Sequence, residues 1–219
     1  MPRPKNEKLK HEILGAARAS FRARGYDATS YAIVAEACGI SRNLVQYHFP
    51  KKQQLAIGFM ERLLEESRIA LGISEEELKG NLTHIFVIGV CFFEFLLQEK
   101  GYRAFLADVI RNRDLTEEVL SFNGDWALAQ LGVPDGFEAS DARVVRAVIV
   151  QMGGFYELLY RCLTVGEHID VAYELQLVMS AFSEALGYGA GEIARLLPLE
   201  AADPARVQAA VQRVNTVLL

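Results

Sequence analysis

Residues 39–52 read GISRNLVQYHFPKK, and the rest of the fold can be worked outward from them. Gly39 supplies a tight turn and Ser41 is placed to cap a short helix. At 100° per residue, Val45 and Phe49 share the face that Ile40 enters from the turn. Arg42, Asn43, Gln46 and Tyr47 are then left pointing outward.

Upstream, Leu9, Ile13, Ala16 or Ala17 and Phe21 form one apolar stripe opposite Lys8, Lys10, Arg18 and Arg22, and Gly25 stops this first helix. Thr29 or Ser30 caps a second, short helix carrying Val34, Ala35 and Cys38. Two short helices about a glycine-containing turn, preceded by a longer helix, match the helix-turn-helix pattern. The outward chemistry agrees with duplex DNA as partner. Arginine hydrogen-bonds guanine, asparagine or glutamine pairs with adenine, and Leu44 is placed to contact a thymine methyl. Ser30, Tyr31 and Ser41 at the helix starts, with His48, Lys51 and Lys52 at the far end, are placed to hold phosphates. Taken singly, each of these is also an ordinary surface or packing residue; the joint pattern carries the reading. The leading MPRPKNEK is read either as an arm adding phosphate or minor-groove contacts or as an inert tail.

The run RGYDATSYAIVAEACGISRNLVQYHFPKKQQL resembles the DNA-binding domain of the TetR family of bacterial transcriptional regulators, over about residues 9 to 56. The resemblance implies phosphate contacts from Ser30, Tyr47, His48 and Lys52, and base-edge contacts from the exposed side of the third helix. The sequence departs from the family at Gln46, where tyrosine is frequent, and at Asn43, where glycine is. The division between base and phosphate contacts stays open at both.

Charge separates the same region from the remainder. Residues 1–52 hold ten Lys/Arg against four Asp/Glu, whereas the other 167 hold thirteen against twenty-four, within a total of -5. A basic head on an acidic body points to a polyanion-binding module, residues 1–51, joined to a larger domain, residues 52–219, that does not touch the polyanion.

That larger domain shows helical spacing throughout and no period-two run, so the class is all-α. A long helix is expected over residues 52–71. Ser74 and Glu77 form a capping box for the next, which continues to Lys100 or restarts near Asn81, with Gly101 as its end. Asp114 and Glu117 repeat the capping pattern, residues 132–140 read as a loop, Ser140 and Asp170 start two strongly apolar helices, and Asp203-Pro204 opens a last one through Leu219. The helices after Ser140 and Asp170 are apolar around more of their circumference than one buried stripe needs, and Gly153 and Gly154 allow close approach. The family resemblance implies a four-helix homodimer interface from two such late helices; the other reading is the centre of a monomeric bundle. It also implies a small-molecule pocket among the middle helices. Phe86, Phe93, Phe122, Trp126, Phe155 and Tyr156 are the aromatic candidates, and His84, Glu94, Asp108, Gln151 and Glu157 the polar ones, for an apolar or aromatic effector.

Other classes are disfavoured. His11, His84 and His168 have no partner at metal-ligand spacing, Ser41 sits in a cap rather than a nucleophile elbow, and no phosphate loop follows a strand. No cofactor, metal or catalytic function is expected. The apolar run 85–97 is interrupted by Glu94 and too short to span a bilayer, no apolar run follows the basic N-terminus, and Cys38, Cys91 and Cys162 read as separate thiols in a reducing compartment. The expectation is a cytoplasmic, ligand-responsive regulator, a repressor, dimeric on a palindromic operator and released or retuned by its effector. The alternative is a DNA-binding regulator with no effector, its body serving dimerisation or protein contacts.

Overall fold

The short helices at the start of the chain begin and end where their own side chains dictate. In the computed structural model, which describes residues 7–131 and 142–218, α1 (Glu7–Arg24) stops at Gly25, with φ of 78°. Ser30 accepts a hydrogen bond from the Ile33 amide and caps α2 (Tyr31–Cys38), while Thr29 is buried and donates to the Gly25 carbonyl at 2.8 Å. Gly39, with φ of 64°, closes α2, and Ser41 caps α3 (Arg42–His48) through the Leu44 amide. Ile13, Ala17, Phe21, Val34 and Val45 are fully buried between these three helices and the start of α4 (Gln53–Ala70).

The larger domain is built around α6 (Leu82–Gln98), whose Phe86, Phe92, Phe95 and neighbours are buried almost all round. Ser74 and Glu77 form the expected capping box on the four-residue α5 (Glu75–Leu78), and Asn81 then caps α6, so the chain restarts. Gly101 does not end that helix. The break is at Glu99, where α6 and α7 (Lys100–Arg111) meet with a bend of 112°, and Gly101 lies inside α7. A side chain there would fall on the Arg22 carbonyl of α1, so the glycine serves backbone approach rather than termination. Nor does Asp114 cap α8 (Arg113–Leu131): Asn112 accepts from the Leu115 amide, and Asp114 sits in the first turn.

Next come α9 (Ala142–Val165), α10 (Val171–Ala185, capped by Asp170), α11 (Ala190–Leu196), a 3-10 turn (Leu199–Ala202) and α12 (Pro204–Leu218). Helix α12 packs on α4 and α6, and its Arg206 and Arg213 donate to the carbonyls of Leu71 and Ala70, satisfying acceptors at the end of α4. The expected loop at 132–140, the helix start at Ser140, residues 1–6 of the N-terminal arm and Leu219 lie outside the described residues. No strand occurs among the described residues, and no single helix there is long and apolar enough to cross a membrane.

Head and body are joined by an aromatic seam. Phe21 of α1 lies 4.9 Å from Phe105 of α7, Phe59 of α4 stacks on Tyr102 at 5.5 Å, and Tyr102 meets Phe95 of α6 at 5.0 Å. Each such buried ring contributes about 1.5–3 kcal/mol through area alone. Polar contacts frame the seam: Arg22 donates twice to the Glu99 carboxylate at 2.5 and 2.7 Å, and Arg111 bonds both Asp27 and Asp108, at 3.0 and 2.6 Å.

Candidate nucleic-acid interface and body cavity

The seven residues of α3 divide by exposure. Val45 is fully buried and anchors the helix; Arg42, Asn43 and Tyr47 are exposed; Leu44 and Gln46 are half-buried. The fully exposed part of the candidate reading face is therefore narrower than the helical wheel implied, because Gln46 and Leu44 lie on its shoulders. Ser30 and Ser41 are exposed as well as capping, so the starts of α2 and α3 present hydroxyls and first-turn amides on the outside.

Three of the residues read as phosphate contacts are committed inward. The Tyr31 hydroxyl donates to the Phe49 carbonyl at 2.7 Å, tying α2 to the end of α3. Lys52 donates to the Tyr26 carbonyl at 2.7 Å and sits 4.0 Å over the Tyr26 ring, and burial lowers its pKa. His48 is 6% exposed and lies edge-on to Tyr47. Its Nδ1 has no hydrogen-bond partner among the described residues. Lys51, in contrast, is exposed and reaches only Glu118, at 3.4 Å. The cations of α1 are also largely engaged: Lys10 with Glu7, Lys8 with Glu12, Arg22 with Glu99.

This arrangement is a helix-turn-helix with its second helix turned outward, and residues 13–58 match the family model described as bacterial regulatory proteins, tetR family. The head is thus similar to the DNA-binding domain of the TetR family. That match makes residues 13–58 a DNA-binding domain of the kind found in bacterial regulatory proteins. No curated protein is significantly similar to the chain. Two solved structures share the fold: a TetR transcriptional regulator from Rhodococcus sp. RHA1 (TM-score 0.54, 15% identity, covering 83% of this chain and 98% of that one), and RolR in complex with resorcinol (TM-score 0.56, 18% identity, covering 88% and 94%).

The body of the chain holds a cavity of about 110 Å³ between α4, α6, α8, α9 and α10. Its walls are apolar, from Phe92, Phe93, Leu175, Met152, Met179 and others, and the polar side chains among the described lining residues are the Gln151 amide and the Trp126 indole. Phe93, Trp126 and Gln151 are thus in the wall as read from sequence. Phe86, Phe155 and Tyr156 are not: all three are buried in the core, Phe155 standing behind Phe93 at 4.9 Å. Phe122 faces a different space, a groove of about 890 Å³ between α8 and the head. Of the other polar candidates none lines the cavity. His84 bonds the Glu77 carbonyl, Asp108 is held by the Asp27 amide and Arg111, and Glu157 is exposed. Glu94 is half-buried, and burial, then the charge of Asp170, raises its pKa.

Sequence reasoning missed the walls given by Leu82, Ile85, Val148 and Val178, which look like any core residue, and it missed the head-to-body bonds of Arg22, Asp27, Glu99 and Arg111, whose partners lie far apart in the chain. On the outer side, α9 and α10 expose Val145, Ile149, Leu158, Tyr173 and Leu177, each at least 40% accessible. Among the described residues, nothing outside their own helix lies within 4 Å of a side chain built at Gly153 or Gly154.

Proposed function

We propose that this regulator is a ligand-responsive repressor that binds a palindromic operator as a homodimer and is released by a small apolar or aromatic effector. The observation that carries this reading is the apolar cavity in the body behind the reading head, whose described lining residues include the Gln151 amide and the Trp126 indole N–H. A cavity near 110 Å³ is on the scale of one aromatic ring, since an engineered void of about 150 Å³ takes up benzene. RolR, which shares the fold, was crystallised with resorcinol, a ligand of that kind. Gln151 would give a hydroxyl on such a ring its partner.

The boundary between the two units is placed between Lys51 and Lys52, ahead of α4. Arg42, Asn43 and Tyr47 read base edges, with Leu44 and Gln46 on the flanks, and Ser30, Ser41 and Lys51 hold phosphate. Tyr31 and Lys52 add their remaining hydrogen-bonding capacity there, and Tyr47 with buried His48 sets the end of the helix. One such helix covers few base pairs, so specificity comes from two copies with half-sites about one DNA turn apart, or a multiple of it. The exposed apolar residues of α9 and α10, with open space over Gly154, are the surfaces we assign to the second copy. The effector acts only through its difference in affinity between the two head spacings, a coupling typically of ~1–3 kcal/mol.

The test is a thermal-shift screen of single-ring phenols, resorcinol included, followed by titration of each stabilising compound against a duplex selected from a randomised pool. A binder should raise the Tm and weaken duplex affinity, and the duplex should weaken the binder by the same factor. A screen without stabilising compounds, with duplex binding intact, contradicts the effector and favours a body used for dimerisation alone.

A further inference from the structure

Helix α8 is a partition between two spaces. On one side Gly124, Trp126 and Ala127 border the apolar cavity; on the other Glu118, Ser121, Phe122 and Asp125 border the groove beneath the head. Trp126 belongs to both linings. Across the groove stand His48, Phe49 and Pro50, the end of the reading helix and the turn that follows, and the groove's edge is bridged by Lys51 and Glu118 at 3.4 Å.

We infer that Trp126 is the positioning residue through which occupancy of the cavity reaches the reading helix, with α8 as the lever and the Lys51–Glu118 pair as its contact on the head. Three features of the packing favour this route. First, α8 contributes three lining residues to the cavity where α4, the continuous link from the head, contributes Leu64 alone. Second, the start of α4 is fastened: Lys52 is bound to the Tyr26 carbonyl and ring, and Phe59 is locked in the aromatic seam. Third, on its cavity side α8 already meets α9, where Val148 stands close to Gly124, so that a displaced Trp126 has the open groove as its path of least resistance. Eight positions separate Glu118 from Trp126, about 12 Å of helix at 1.5 Å per residue, and a helix of that length moves as one piece. A close-packed wall transmits a shift at one face to the other because it has no slack to absorb it.

This inference rests on the effector reading for its ligand arm, but its wall can be tested with DNA alone. Trp126 is the single tryptophan of the chain, so intrinsic emission reports on it without labelling. The full-length protein and its Glu118→Gln variant are titrated with a duplex selected from a randomised pool, and emission maximum and acrylamide quenching are followed. Duplex binding should shift the emission maximum and change the quenching, saturating with the binding curve, and the variant should bind the duplex while losing most of that response. Unchanged emission and quenching in a protein that binds the duplex overturns the inference, and so does a full response in Glu118→Gln. In a second arm resorcinol is the probe: if it raises the Tm yet leaves Trp126 emission and quenching unaltered, the wall is refuted. Should no phenol bind while the DNA response holds, the effector reading fails and the wall stands.

Discussion

The head and the body of this protein are specified in different ways. In the head, the surface we assign to DNA is a property of adjacent residues: Gly39 turns the chain, Ser41 caps, Val45 anchors, and whatever stands between the anchors faces outward. In the body, the cavity is what remains after five helices from distant parts of the chain have packed. Short-range rules therefore decide the first, and no local rule decides the second. The comparison also explains why the two are not independent units, since α7 gives one face to α1 and another to the body.

The largest effect is expected where the two regions meet. Gly101→Val places a branched side chain against the backbone of Arg22, and because backbone cannot rotate away, the cost should reach about 3 kcal/mol or more. Circular dichroism melts should show a much lower Tm for the whole chain; an unchanged Tm would mean that the head is not docked on α7. The next comparison sets two neighbouring lysines against each other. Lys52→Ala removes a hydrogen bond to the Tyr26 carbonyl and the cation over its ring, and should destabilise the fold by roughly 1–2 kcal/mol. Lys51→Ala should leave the Tm in place and lower the slope of log affinity against log salt by about one. Equal effects of the two on both measurements would break the distinction between a half-buried fastening and an exposed phosphate contact.

The smallest effect belongs to the body. Burial holds the Glu94 carboxyl above its ordinary range, so ionising it costs more in the folded chain than in the unfolded one. The folded state then binds the extra proton between the ordinary pKa of 4.5 and the raised folded value, and stability declines as pH rises through that window. Glu94→Gln should raise the Tm at pH 7 and have little effect at pH 4. The reverse pattern would place Glu94 in a favourable ion pair.

Much of this architecture was legible in the sequence. The caps at Ser30, Ser41, Ser74 and Asp170 are short-range signals, and the structure uses each of these. Gly101 misled because a glycine that ends a helix and one that admits a neighbouring backbone look alike until the neighbour is known. Asp114 misled because Asn112, two residues earlier, competes for the same role. His48 and Lys52 are both read from sequence as phosphate contacts, yet the fold buries the first and ties the second to the Tyr26 carbonyl. Phe86, Phe155 and Phe93 are chemically alike at the level of sequence, and only the packing of α6 against α9 and α10 decides which one faces empty space.

The central claim is that the head works in pairs, held by the outer faces of α9 and α10. Sedimentation of the wild type and of Ile149→Asp, each alone and with a duplex selected from a randomised pool, tests it most directly. The account predicts a wild-type dimer bound to two inverted half-sites, and a folded, monomeric variant that has lost specific binding. A wild type that sediments as a monomer and occupies one asymmetric site would contradict it.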